Sequence, residues 1–201
     1  MENMRELGRS IKQAVDFLQE VYQQVQGLFL ETEKLLNPVG YSTIMMNEVI
    51  LVNSRNLSMA DEWLRPSVAR ILGRKEGENA GREFIALVVH LSPKAVLDEA
   101  VVILERLVFP EKMGASYVQS QFNKSDWLES FVKGPVEAGK TIHLEPKTLR
   151  GVFDKAEFVQ VAVWPLTAMK NQGAVDGSLV QKVREWAANR AMPEQASAAS
   201  L

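Results

Sequence analysis

Apolar residues recur every three or four positions from the start of the chain: Met4, Leu7, Ile11, Ala14, Leu18, Val21, Val25 and Leu28, with Leu35 completing the row. This is the a/d spacing of a heptad and predicts a single helix. A second row, Val15, Tyr22, Phe29 and Leu36, runs beside it at position e, and Glu, Gln, Lys and Asp fill the remaining faces. Asn37-Pro38 and Gly40 supply the stop. A helix over this span is roughly 50 Å long at ~1.5 Å per residue, longer than most elements of a single domain. Its apolar band suits packing against a sheet or several helices, because a two-stranded seam is narrower. The helix can cover the domain's own sheet or meet a partner, and both hold if only half of it is covered. The candidate interface residues are Leu18, Val21, Tyr22, Val25, Leu28 and Phe29.

The pattern then changes period. Tyr41 to Val52 reads as a strand, with Ile44, Met46, Ile50 and Val52 on one parity, and Asn53 to Asn56 as a turn. Ser58 and Asp61 mark a helix start that continues through Trp63, Leu64, Val68, Ile71 and Leu72, with Pro66 kinking it. Gly73 to Gly81 is a charged loop. Phe84 to Leu91 is almost continuously apolar, as a central strand is, and Ser92-Pro93 ends it. Ala95 to Phe109 fits helical spacing at Leu97, Val101, Leu104 and Val108, but its β-branched run favours a strand from Ala100 to Phe109, paired with the preceding one. Pro110 to Ser120 reads as a loop, Asp126 to Val132 as a short helix capped by Ser125, and Lys140 to Leu144 as a short strand. Phe158 to Trp164 is a further buried strand ended by Pro165. Gly177-Ser178 opens a final helix with Leu179, Val180, Val183, Trp186 and Ala187 inward.

These elements give an α+β chain: a long N-terminal amphipathic helix on or beside a small, mostly antiparallel sheet of three to five strands, with further helices on one face. Residues 1–37 form the helix and 38–190 the body. The Ala- and Ser-rich tail, 191–201, is expected to be disordered.

Composition narrows the chemistry. The 201 residues suit one domain, or one domain with an appendage, and suffice to bury a core. A net charge of -2 speaks against a general nucleic-acid binder. The absence of cysteine excludes thiol catalysis, disulfides and cysteine-bound metals. The N-terminus shows no apolar signal region, and no apolar run reaches the ~18 residues of a membrane span, so the chain is expected to be soluble and cytoplasmic.

One string names a chemistry. Gly134 to Thr141 reads G-x-x-x-x-G-K-T, the pattern of a nucleotide-binding loop. In such a loop, backbone N–H groups cradle phosphate, the Lys neutralises it and the Thr hydroxyl ligates magnesium. The residues for an ATP or GTP site with magnesium would be Gly134, Gly139, Lys140 and Thr141. The pattern also needs a buried strand before it and a helix starting at Gly-Lys-Thr. Here Trp127 to Lys133 reads as an amphipathic helix, the residues after Lys140 alternate like a strand, and Pro146 would disrupt a helix there. The expected form is therefore a turn at Ala138-Gly139. Whether the backbone after Lys140 is helix or strand decides between the two.

The other candidates are thinner. Asp126 with Glu145-Pro146-Lys147 has the outline of a nuclease carboxylate set, but the pattern is degenerate and Pro146 disfavours the paired strand it needs. His90 lies in an apolar strand, and His143 with Glu145 lacks further metal ligands. Arg65, Arg70, Arg74, Lys75 and Arg82 form the densest basic region, interrupted by Glu76, Glu78 and Glu83. A phosphate-contacting role there would make the chain a nucleic-acid-associated accessory factor, for example of a prokaryotic defence system. Trp63, Trp127, Trp164 and Trp186 sit among apolar residues as core anchors. No G-x-S-x-G or G-x-G-x-x-G string is present. The sequence favours a non-enzymatic accessory or regulatory protein, without cofactor or metal, acting through contacts of the N-terminal helix with another protein or a second copy.

Overall fold

The computed structural model describes residues 2–45, 49–51, 67–91, 99–122, 137–149 and 151–189. The heptad row forms one helix, α1 (Glu2–Leu36). Asn37–Val39 adds a single 3₁₀ turn. Gly40 then reverses the chain at φ 97°, a left-handed conformation that glycine adopts without strain.

Seven strands follow among the described residues: β1 (Tyr41–Thr43), β2 (Ile50–Leu51), β3 (Ser67–Arg74), β4 (Glu83–His90), β5 (Val101–Val108), β6 (Ile142–Leu144) and β7 (Phe158–Pro165). They form one antiparallel sheet in the order β1-β3-β4-β5-β7-β6, with β2 also on β3. Helix α2 (Ala115–Phe122) lies between β5 and β6. After β7, α3 (Gln172–Val175) widens into a π turn (Asp176–Val180) and closes as α4 (Gln181–Ala188).

The sheet is covered on both faces. On one, Ile71, Phe84, Val88, Ile103, Leu107 and Val161 pack with Val118 and Phe122 of α2 and with Phe153. On the other, Val68, Leu72, Leu87, Val102, Leu104 and Trp164 pack with Val25, Leu28 and Phe29 of α1 and with Leu179, Val183 and Trp186. The α+β architecture, the antiparallel pairing of β4 with β5, and the strands at 142–144 and 158–165 agree with the sequence pattern.

Six expectations are corrected. Val68, Ile71 and Leu72 lie in β3, not a helix. Both faces of β3 are buried, so apolar residues fall at consecutive positions and mimic helical spacing. The span Tyr41 to Val52 holds two short strands, β1 and β2, rather than one. The stretch Pro110 to Ser120 contains the start of α2, whose Val118 and Phe122 sit one turn apart and are buried. The last helix starts at Gln172, where Asn171 caps it by accepting from the Ala174 N–H at 3.0 Å. Helices cover both faces of the sheet, not one, and the strands outnumber the three to five expected. The turn at 53–56, the helix start at Ser58 with Trp63 and Leu64, the Ser125-capped helix with Trp127, and the tail from 191 lie outside the described residues.

Candidate functional site

The six helix residues singled out from the sequence divide along α1. Val25, Leu28 and Phe29 are buried in the chain's own core, Val25 at 3% exposure. Leu18, Val21 and Tyr22 are half-buried at its edge. N-terminal to them the cover ends, and every residue from 6 to 17 is exposed. The same apolar stripe continues there: Leu7 is 55% exposed, Ile11 56%, Val15 47% and Phe17 63%. Phe17 lies outside both heptad rows, at position g, and widens the stripe. The a, d and e spacing alone does not include it. At roughly 1.5 Å per residue, some 18 Å of apolar helix extends past the body. An exposed apolar patch rimmed by polar residues is the form that a contact surface takes. The flanks are polar, with a Lys12–Asp16 ion pair and a Ser10 hydroxyl donating to the Glu6 carbonyl at 3.1 Å.

The G-K-T string is taken up by the fold. Gly134 lies outside the described residues, while Glu137 to Thr141 lead through a turn into β6. The backbone after Lys140 is a strand, so no helix N-terminus faces a phosphate there. Gly139, at φ 73°, sits against Trp164, where an added Cβ would lie 2.9 Å from the indole nitrogen. The Thr141 hydroxyl accepts from the Trp186 indole N–H at 3.0 Å, and Lys140 pairs with Glu137 at 3.0 Å. These roles tie β6 to β7 and α4. The turn expected at Ala138-Gly139 is present, and Gly139, Lys140 and Thr141, the residues of the alternative ATP or GTP site with magnesium, are engaged in the chain's own packing.

The basic region is also dispersed by folding. Arg65 lies outside the described residues. Arg70 is buried and pairs with Glu33 of α1 at 2.9 Å, pinning the helix to β3. Lys75 donates to Asn37 at 2.6 Å, and Arg82 donates to the Phe109 carbonyl and pairs with Glu157. Arg74 joins a buried network at one end of the sheet. There Glu83 accepts from the Tyr41 hydroxyl and from Arg106 Nε, both at 2.7 Å, and Arg106 also donates to Gln160 at 3.1 Å. Burial, reinforced by the Glu83 charge, pushes the Tyr41 hydroxyl well above its ordinary pKa. A cleft of about 230 Å³ opens beside this network, but Glu76, Glu78 and Glu83 line it along with Arg74 and Arg106. It therefore has no cationic excess with which to select an anion. The network clamps β1, β3, β4, β5 and β7 together.

His90 is buried and its Nδ1 pairs with the Ser67 hydroxyl across β3 and β4. His143 is exposed, with its ring 5.4 Å from that of Phe158. Glu145-Pro146-Lys147 leaves β6 through a 3₁₀ turn, and Asp126 lies outside the described residues. Among the described residues no cluster of His, Asp and Glu is arranged to hold a metal, and no helix is long and apolar enough to cross a membrane.

One buried group stands apart. Glu105, at the centre of β5, is 0% exposed, and among the described residues neither carboxyl oxygen has a hydrogen-bond partner. Its cross-strand neighbours are Ala86 and Val161, and Ile103 and Leu107 flank it along the strand face. Burial alone pushes its pKa from an ordinary 4.5 to about 8. A carboxylate inside an apolar run is the signal that singles it out, since a strand covered on both faces turns either parity toward the core.

Comparisons with protein-family models, curated proteins and solved structures find no match.

Proposed function

We propose that this protein is a non-enzymatic accessory or regulatory factor that acts through protein contacts made by the N-terminal half of α1. The observation that carries this reading is the division of one continuous apolar stripe. From Val25 onward it is buried in the chain's own core, while Leu7, Ile11, Val15 and Phe17 remain about half exposed. Burial of each such side chain contributes about 1.5–3 kcal/mol. A stripe that extends past its own core gains that free energy only from another surface.

The test is the double substitution Ile11→Glu/Val15→Glu in the full chain. It should leave the circular dichroism spectrum and thermal midpoint close to wild type, because both positions lie outside the core. It should abolish association, whether with a purified partner or with a second copy. Loss of the folded state, or association unaffected by the two charges, would refute the reading.

A further inference from the structure

Resting on that reading, we infer that the surface meeting the exposed half of α1 is the same surface of a second copy, paired antiparallel about a two-fold axis between residues 12 and 13. The argument starts from side-chain size. Along 7–18 the stripe alternates large residues (Leu7, Ile11, Val15, Phe17, Leu18) with small ones (Gly8, Ser10, Ala14). Antiparallel helices pair a positions with d, e with e and g with g. With the axis between 12 and 13, Ile11 meets Ala14 of the second copy and Leu7 meets its Leu18. Val15 lies beside its Gly8, and Phe17 beside its Ser10. Large residues thus face small ones except in the Leu7–Leu18 layer, where two leucines meet, and two-fold symmetry makes every contact twice. Parallel pairing in register would instead stack Ala14 on Ala14 and leave that layer underfilled.

Charge favours the same orientation. Residues 6–12 carry Glu6, Arg9 and Lys12, a net +1, whereas residues 13–20 carry Asp16 and Glu20, a net −2. Antiparallel pairing sets the two stretches side by side, with Arg9 level with Asp16 of the second copy. Parallel pairing sets like against like. These charges lie on the outer faces, so they bias orientation more than affinity. The e and g positions in this stretch are Gly8, Val15, Ser10 and Phe17. They offer no charge pattern to select a different helix or to reject an identical one.

The area sets the strength. Each of the four exposed large side chains offers on the order of 100 Å², so pairing covers on the order of 800 Å² in both copies together, below the ~1,200 Å² at which stable interfaces begin. The dimer should therefore be weak and reversible. The second copy's helix occupies the stripe where the core stops covering it, and its body lies at the opposite end of the pair.

Because the chain has no cysteine, single introduced cysteines report the register directly. Sedimentation equilibrium of the full chain from about 1 to 300 µM should show a monomer–dimer equilibrium, weakened roughly a hundredfold or more by Ile11→Glu. Under oxidation, Ala14→Cys should form a disulfide-linked dimer on its own. Leu7→Cys and Leu18→Cys should each stay monomeric alone and cross-link when mixed. Cross-linking of Leu7→Cys with itself, without the mixed product, would overturn the antiparallel pairing. A strictly monomeric chain at 300 µM would overturn self-association altogether. The broader reading would then stand or fall separately, on whether Ile11→Glu/Val15→Glu removes binding to a different purified protein.

Discussion

Replacing Glu105 by methionine should stabilise this protein, and by an amount that grows with pH. In the folded state the carboxyl has an apolar surround and, among the described residues, no hydrogen-bond partner, and its pKa rises from 4.5 to about 8. In the unfolded chain it returns to the ordinary value. A folded-state pKa above the unfolded one means that the native form holds the proton more tightly. The associated stability is fully present below pH 4.5, declines as pH rises, and is lost above pH 8. Between these limits the slope is about 1.4 kcal/mol per pH unit, or roughly 5 kcal/mol in all. Methionine has similar volume, no charge and only a weakly accepting thioether, so Glu105→Met removes both the proton linkage and the cost of an unpartnered polar group, about 1–3 kcal/mol. Urea unfolding followed by the fluorescence of the buried Trp164 and Trp186, repeated from pH 5 to 9, measures the difference. The gap between variant and wild type should widen from pH 5 to 8 and then level off. Groups common to both proteins cancel in that difference. Parallel stability curves over the whole range would refute the account, as would a variant less stable than wild type at pH 8.

Three further outcomes follow from the packing. Gly139→Ala should cost about 1–3 kcal/mol in urea unfolding, because a side chain at φ 73° is strained and its Cβ would press on Trp164, whereas Lys140→Ala should change stability by less than about 0.5 kcal/mol. Glu33→Gln should destabilise by about 1–3 kcal/mol, because the buried Arg70 loses its charged partner on α1, and the loss should show as a lower urea midpoint. Val25→Glu should unfold the chain or lower its thermal midpoint by more than ~10 °C, while Ile11→Glu should leave the midpoint within a few degrees, because only Val25 is buried.

Much of the fold was legible along the chain. The three-and-four spacing from Met4 to Leu36 is sufficient for α1, and the apolar runs at 84–91 and 158–164 are sufficient for central strands, because burial on both faces leaves few other positions for such residues. Legibility failed at β3, where a sheet covered on both sides erases the alternation that marks a strand and Val68, Ile71 and Leu72 imitate a helix. It also failed at α2, whose signal is only the Val118–Phe122 pair. The G-K-T string shows a further limit: its residue types suit a phosphate loop, but the fold gives Gly139 to Trp164 of β7 and Thr141 to Trp186 of α4. The arginines from 70 to 82 read as a basic patch in one dimension and become ion pairs with Glu33, Glu83 and Glu157 in three.

By itself, the sequence determined that this chain makes one long apolar-striped helix and an α+β body, since periodicity and turn chemistry are local properties. Only the tertiary structure decided where along that helix the core ends. The sheet against which α1 packs has a finite width, and an unbroken heptad row carries no mark of where the opposing surface stops. That boundary, between Leu18 and Val25, separates residues that hold the fold from residues left to meet another surface.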